Sequence, residues 1–456
     1  MRNIFRAYDI RGIWGEDLGP QGCLDIGRGL GAFLREDLGM KRVVVGYDVR
    51  TTSPSFNGAL AAGLLSSGVD VTSVGRCGFG VAMFAGSHSG ADASCFITAS
   101  HLTPEWNGLK IYFGDGVGFP EEHIMAVRDR VMEKRFVDPS WKDAGAFMEE
   151  DYLDRYVDFW KMRYSNHFKQ RKPRIAVDCG GGAMTLSAPH VMTAVGAEVE
   201  LVNGETDPFF RGRPSEPKPD NLGEMKDRVL DKDLDFGVAF DGDGDRAVVV
   251  DDTGRFLSTD RLGIIIASNL VVKNQGGLVL ANVESSMAVE DVLVPIGARV
   301  KRIKVGHTFL TLEAKQHEAI FGVEKSGHLI VPEHVLFDDA IVAPLEVMRI
   351  INSEGRKLSE IANEIPQYET DSKAFNCPDD LKFQVVDNLR EELKKTKEKV
   401  NDMDGVRVDM EEGWVLIRCS NTSPVIRMTV EARSKASLKK IADEYSSMLE
   451  EEIERI

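Results

Sequence analysis

The chain has 456 residues, too many for one ordinary hydrophobic core, and length alone predicts about three or four domains. Hydrophobic residues at 43% and charged residues at 28% are those of a soluble globular protein, with no apolar run near the roughly 18 residues of a membrane span. A formal net charge of −17 argues against a nucleic-acid partner, because phosphate backbones are gripped by basic faces. The same charge repels a small anion at long range, so a phosphate ligand would need Arg, Lys and backbone N–H groups concentrated inside particular loops. The opening Met-Arg-Asn-Ile-Phe-Arg is no secretory signal, and a cytoplasmic protein is expected. Six cysteines (Cys23, Cys77, Cys95, Cys179, Cys377, Cys419) are scattered without a C-x-x-C pair, so neither a zinc site nor a disulfide scaffold is indicated.

In chain order, Phe5-Arg-Ala-Tyr-Asp-Ile-Arg-Gly12 sets Arg6 and Arg11 around Tyr8 and Asp9. Its arginines suit bidentate phosphate contact, and a solvated N-terminal arm is the alternative. Helical apolar spacing over 23–38, a buried strand over 42–48, a helix over 55–67, a strand over 70–74 and a helix around 81–89 follow. That alternation predicts an open, largely parallel α/β sheet. A strand over 93–98 then runs into the loop Thr98-Ala-Ser-His-Leu-Thr-Pro-Glu-Trp-Asn-Gly-Leu-Lys110. Ligands bind at the carboxyl ends of such strands. Ser100, between small Ala99 and His101, is a candidate exposed nucleophile with a neighbouring proton handler, and Lys110 a nearby cation. A simple turn or cap serine is the alternative.

A charged segment over 132–141 reads as a domain exit and a helix over 149–160 opens the next unit. The strand over 174–178 meets Cys179-Gly-Gly-Gly182, whose glycines read as close-packing positions because no G-x-G-x-x-G is present. After a proline-extended stretch over 216–222, the apolar run 236–240 delivers Asp241-Gly-Asp-Gly-Asp-Arg246, and a strand resumes over 247–250. Three alternate carboxylates cannot be buried without a cation, and hard oxygen ligands suit Mg²⁺ or Mn²⁺. A Ca²⁺ EF-hand loop would need Gly sixth and Glu twelfth, where Arg246 and Asp252 stand. An acidic turn with no ion is the remaining alternative.

A third α/β unit begins near Gly254, with a helix over 259–272 and strands over 278–282 and 300–304. Lys304-Val-Gly-His307 opens a helix whose amide end favours an anion. In Phe321-Gly-Val-Glu-Lys-Ser-Gly-His328, Glu324 and Ser326 point the same way along an extended chain and can meet vicinal hydroxyls. A polar edge strand is the alternative there. The turn-rich segment 368–378 is read as the last boundary and as a hinge for a closing fourth unit. Beyond it come a charged helix over 382–400, strands over 406–410 and 414–419, and a final helix over 434–456. Between strands, Arg418-Cys-Ser-Asn-Thr-Ser-Pro-Val-Ile-Arg427 has the composition of a phosphate cradle.

Together these loops resemble those of the α-D-phosphohexomutase family, most closely its phosphomannomutase/phosphoglucomutase branch. Residues 98–104 are similar to the family's T-A-S-H-N-P serine loop, with Leu102 in place of Asn and Thr103 in place of an often-seen Pro. Glu216-Pro-Lys-Pro-Asp-Asn-Leu222 resembles its approach to the metal loop. Residues 322–328 resemble G-E-x-S-G-H, with Lys325 at the variable position and Val323 where the family has Gly. Residues 418–424 resemble R-x-S-[GN]-T-x-P in its S-N-T form. The resemblance implies an α/β fold of three similar mixed-sheet domains (1–148, 149–254, 255–367) and a smaller C-terminal α+β domain (368–456) around a central cleft. These would carry the phosphoserine, metal, sugar-recognition and phosphate-binding loops in turn.

The implied activity is reversible phosphoryl transfer between O1 and O6 of mannose or glucose phosphates, with a hexose 1,6-bisphosphate (glucose 1,6-bisphosphate) as intermediate and activator. Ser100 would carry the phosphoryl group and share Mg²⁺ with Asp241, Asp243 and Asp245. Arg246 would contact the transferring group, and His101, Lys110 and His328 are the acid and base candidates. Substrate contacts are expected from Tyr8, Arg11, Lys304, Gly306, His307, Glu324, Ser326, Arg418, Ser420, Asn421, Thr422 and Arg427. Partners would be small hexose phosphates, with no nucleic acid or membrane, for a monomer or small homo-oligomer. A phosphoglucosamine mutase is the alternative, although its relatives usually show S-G-T-E-P where this chain has Ser420-Asn-Thr-Ser-Pro424. A phosphosugar-binding protein without turnover is a further alternative, against which stand Ser100 and all three aspartates.

Overall fold

The structure, a computed structural model, describes residues 4–397, 399–420 and 424–455. Four sheets follow one another along the chain. The first comprises β1 (Asp9–Ile13), β2 (Arg42–Tyr47), β3 (Asp70–Arg76), β4 (Ala93–Ile97), β5 (Trp106–Phe113) and β6 (Phe147–Glu149) in the order β1-β5-β4-β2-β3-β6. β2, β3, β4 and β6 run parallel, while β5 is antiparallel to both β4 and β1. Val43 to Val45 and the whole of β4 are buried, as strands covered by helices on both faces must be.

The second sheet, β7 (Arg174–Asp178), β8 (Glu198–Val202), β9 (Phe236–Phe240), β10 (Ala247–Asp251) and β11 (Phe256–Leu257), has the order β11-β10-β9-β7-β8. The third, β12 (Gly277–Asn282), β13 (Ala298–Ile303), β14 (Phe321–Val323) and β15 (Leu329–Ile330), has the order β13-β12-β14-β15. Each of these three sheets is mixed, with a parallel centre and an antiparallel flank.

The fourth sheet is wholly antiparallel: β16 (Glu369–Asn376), β17 (Val400–Asn401), β18 (Val406–Met410), β19 (Gly413–Cys419) and β20 (Val425–Ala432), in the order β16-β20-β19-β18-β17. Strand alternation divides its side chains between two faces. Val415 and Ile417 join Val385, Leu389, Tyr445 and Leu449 under the helices Lys382–Thr396 and Lys435–Arg455. Trp414 and Leu416 face the other way, onto Val283 of the third unit. Among the described residues no helix is long and apolar enough to cross a membrane.

Three readings of the sequence need correction. The helix expected from 149 begins at Leu153, because Glu149 is spent as the last residue of β6. The helix expected to reach 400 ends at Thr396, and Val400 opens β17. Most of the turn-rich segment 368–378 is a strand: all eight residues of β16 pair in register with β20, which makes them part of the fourth sheet. An edge strand whose side chains are mostly exposed or half-buried lacks the apolar alternation that marks strands from sequence.

One buried polar network ties the second unit to the third. Glu346, 1% exposed in the helix Val342–Glu354, accepts from Tyr164 Oη at 2.5 Å and from Arg349 Nη2 at 2.5 Å, with His334 Nε2 at 3.3 Å. Burial opposes its charge, but the His334 and Arg349 contacts outweigh it and hold its pKa at about 2. With the folded value depressed, the contribution to stability is full above the ordinary carboxylate range and is lost as pH falls toward about 2. Glu346→Ala is expected to cost about 3–5 kcal/mol, since Arg349 loses its countercharge and keeps only Asn269 Oδ1 (2.7 Å), and the Tyr164 hydroxyl loses its carboxylate and keeps only His334 Nε2 (2.8 Å). Urea denaturation at pH 7 and at pH 3 checks this: the deficit should shrink at the lower pH, and an unchanged midpoint at pH 7 would refute it.

Candidate active site

β9, buried along its whole length, delivers the acidic loop and β10 carries the chain away. Gly244 has φ 88°, a left-handed turn that glycine adopts without strain. Gly242 is needed for a different reason: a Cβ there would stand 2.5 Å from the Ser100 carbonyl oxygen. The loop is pinned by one amide from each of three units. Ala183 N donates to Gly242 O (2.9 Å), Phe79 N to Asp243 O (3.0 Å) and Ala340 N to Gly244 O (3.3 Å). Gly182 is a close-packing glycine as expected, since its Cβ would lie 2.8 Å from Gly242 O.

Ser100 is fully buried and has φ 51°, an unfavourable backbone for a residue with a side chain. Its Oγ donates to Asp241 Oδ2 at 2.8 Å and lies 3.4 Å from His101 Nδ1. One carboxylate oxygen from each of Asp241, Asp243 and Asp245 lies within 4.8 Å of the others. Lys110 projects from the middle of β5 rather than from a loop, and its Nζ donates to Asp243 Oδ2 (2.9 Å) and to Asp245 Oδ2. Asp243 Oδ1 and Asp245 Oδ1 are buried without a hydrogen-bond partner among the described residues. Orphaned buried carboxylate oxygens beside a serine hydroxyl fit a small hard divalent cation such as Mg²⁺.

The charges are strongly differentiated. Asp241 is pushed up by burial and then by Asp243 and Asp245. Asp245 is held down despite burial, first by Lys110 and then by His328. Lys110 is opposed by burial but raised by Asp243 and Asp245, which favours its ammonium form. Burial, then Arg246 and Arg11, drives His101 down to about 2 and keeps it neutral. Burial and Arg246 also oppose a charge on His328, yet Asp245 and Glu324 raise its pKa to about 9. Its Nε2 lies 3.3 Å from Asp245 Oδ2 and 3.1 Å from Arg246 Nε. The arginine contact alone would favour a neutral ring; the carboxylates at both ring nitrogens favour the imidazolium and outweigh it.

The turn between β14 and β15 carries Glu324, Ser326 and His328. Glu324 Oε1 accepts from Gly306 N at 2.6 Å, and Oε2 lies 3.3 Å from Ser326 Oγ and 3.2 Å from His328 Nδ1. Tyr8 lies against Gly306 and donates to Val305 O at 2.9 Å. His307, kept neutral by burial and by His328, meets Tyr112 Oη through Nδ1 at 2.6 Å. Thus Tyr8, Ser100, His101, Lys110, Asp241, Asp243, Asp245, Arg246, Gly306, His307, Glu324, Ser326 and His328 form one connected set.

The other expected residues are bonded to partners outside this set, although Arg11 acts electrostatically on His101 and Arg418 on Tyr8. Arg11 pairs with Asp9 (2.6 Å), and Lys304 is exposed beside the Phe309 ring. Arg418 donates to Glu284 Oε1 (2.8 Å) and lies 3.6 Å from Asp404. Ser420 is buried, with its carbonyl taken by Lys382 Nζ (2.5 Å), and Arg427 is exposed on β20. Asn421 and Thr422 lie outside the described residues.

Sequence reasoning missed Asp48, Arg50, Ser215, Tyr112 and Asp338. Asp338 accepts from Tyr112 Oη (3.1 Å) and lies 3.6 Å from His328 Nε2. An Asp-Asp pair inside the apolar run 335–343 was a usable signal, as was the Asp48-Val-Arg50 end of β2.

The chain matches, in order, families described as phosphoglucomutase/phosphomannomutase alpha/beta/alpha domain I over residues 2–138, domain II over 150–254, domain III over 258–368 and C-terminal domain over 376–447. It is 33% identical to a phosphoglucomutase/phosphomannomutase of Thermococcus kodakarensis, covering 99% of each chain. It is 32% identical to a probable phosphoglucosamine mutase of Methanopyrus kandleri over the full length of both. A crystal structure of a phosphoglucomutase/phosphomannomutase family protein from Burkholderia thailandensis superposes with a TM-score of 0.91 at 28% identity, covering 99% of this chain and 98% of that one. Three mixed sheets and an antiparallel fourth, matched end to end by these relatives, place the chain in the phosphoglucomutase/phosphomannomutase family as a phosphohexomutase enzyme.

Proposed function

We propose that the protein moves phosphate reversibly between O1 and O6 of mannose and glucose phosphates by way of a phosphorylated Ser100 and a hexose 1,6-bisphosphate. The observation that carries this reading is the Ser100 hydroxyl, 2.8 Å from Asp241 within the acidic loop and backed by the Lys110 ammonium. Phosphoserine gives its phosphoryl group to the free hydroxyl of the bound monophosphate. The bisphosphate turns over in the cleft and returns its other phosphate to Ser100. Mg²⁺, held by Asp241, Asp243, Asp245 and Ser100, would neutralise charge on the transferring phosphoryl oxygens and on the serine oxygen as it leaves.

Arg246, beside Asp245, can contact the group in flight. Lys110 supplies a fixed positive charge, which leaves His328 as the group able to exchange a proton, its ring oriented by Glu324 at Nδ1. Glu324 and Ser326 would bond the sugar's O3 and O4 in either orientation, and the 418–427 segment would hold the phosphate that is not reacting. We assign the units to 1–148, 149–254, 255–367 and 368–456. The acidic charge and six free cysteines support a cytoplasmic enzyme, monomeric or a small homo-oligomer, acting on small hexose phosphates.

Phosphoglucosamine mutase is the second reading, favoured by the full-length likeness to the Methanopyrus protein. Coupled assays with mannose 1-phosphate, glucose 1-phosphate and glucosamine 1-phosphate separate the two. The first two sugars are expected to give the higher kcat/KM. A preference for glucosamine 1-phosphate would overturn the substrate assignment, and turnover of none would overturn the mutase reading.

A further inference from the structure

We infer that Arg50 is a positioning residue for phosphoryl transfer: its buried guanidinium gathers the main-chain carbonyls of the serine loop and holds Ser100 against the acidic loop, with Ser215 closing the same loop from the second unit. This rests on Ser100 as the phosphoryl carrier. Arg50 stands three residues beyond β2 and is 1% exposed. A guanidinium has five N–H donors in a rigid plane, and here every one has an acceptor. Nε donates to Asp48 Oδ2 (3.0 Å), Nη1 to Thr103 O (2.6 Å) and Trp106 O (3.1 Å), and Nη2 to Ser100 O (2.9 Å) and Leu102 O (2.7 Å). Asp48 is itself fixed by Ser53 Oγ (2.6 Å) and by the Arg50 amide (3.0 Å).

From the other side, Ser215 Oγ lies 2.6 Å from His101 O and 3.0 Å from Leu102 O, and the Phe210 ring centroid is 5.2 Å from the guanidinium. The carbonyls of residues 100 to 103 are thus drawn toward one clamp built by two units. Ser100 adopts a left-handed backbone conformation that a free serine avoids, so something must hold it there. The clamp does so without touching the serine hydroxyl, which stays directed at Asp241. It also accounts for Leu102 where relatives carry Asn: position 102 is secured by its carbonyl, not by its side chain. A lysine at position 50 could not reproduce this, because an ammonium offers three donors on a flexible stem in place of a planar set of five.

The test compares kcat, KM and thermal midpoint for the full-length protein, Arg50→Lys, Ser215→Ala and Ser100→Ala, using glucose 1-phosphate with Mg²⁺. Arg50→Lys is expected to lower kcat about 100-fold with KM within about threefold, while its thermal midpoint stays well above the assay temperature, which separates misplacement of Ser100 from loss of folded protein. Ser215→Ala should lower kcat about fivefold to tenfold, also at nearly constant KM. A kcat for Arg50→Lys within twofold of the parent overturns the inference, and if that variant does not fold, an unaltered kcat in Ser215→Ala overturns it instead. An active Ser100→Ala would defeat the underlying reading, whereas an inactive Ser100→Ala beside a fully active Arg50→Lys would defeat the clamp alone.

Discussion

Ser100→Ala is expected to lower kcat by at least about four orders of magnitude while leaving hexose phosphate affinity within about threefold. The Ser100 hydroxyl, bonded to Asp241, is the group proposed to form and break the bond to phosphorus, and alanine leaves the acidic loop, Lys110 and the β14–β15 turn in place. Losing that single bond to Asp241 costs about 1 kcal/mol of stability, so the variant should fold and bind. Turnover by coupled assay and affinity by calorimetry measure the two halves separately. Appreciable turnover in the variant would remove Ser100 from the mechanism.

Stripping the divalent cation is the second large effect. Chelation is expected to lower activity by about a thousandfold or more, with recovery on back-titration of Mg²⁺ to one ion per chain. The reason is local: Asp243 Oδ1 and Asp245 Oδ1 are buried acceptors with no hydrogen-bond donor among the described residues, and Lys110 bonds only the opposite oxygens of the same two carboxylates. Asp245→Asn should be the most damaging replacement in the triplet, because Asp245 also anchors Lys110 and His328. Its kcat should remain at least about a hundredfold down at saturating Mg²⁺. Full activity in chelator, or Asp245→Asn restored by excess Mg²⁺, would show that no cation is held there as assigned.

Both arguments join loops far apart in the chain, but within each loop the groups are near one another in sequence, and those were the legible ones. Val43 to Val45 and Phe236 to Phe240 announced buried strands by composition, and the Asp-Gly repeat announced its own need for a cation. Spacing within a loop of six residues constrains geometry directly. The weak points were equally physical. β16 shows its side chains mostly to solvent, so it carried no apolar period, and the end of β6 was indistinguishable from the first turn of a helix.

The sequence by itself determined the order of the four units, the acidic triplet, the serine ahead of it and the residue types available for acid–base work, whereas it suggested an exposed serine that the fold buries. Tertiary structure alone decided what those residues are. Lys110 is committed as a charged donor by carboxylates more than 130 positions away, and His101 is kept neutral while His328 is charged by the partners each happens to meet. The Arg50 clamp and the Tyr112 to Asp338 contact likewise join residues that no local pattern relates. A side chain's protonation and reach depend on burial and on groups brought close by folding, and neither quantity is written in the spacing of letters along the chain.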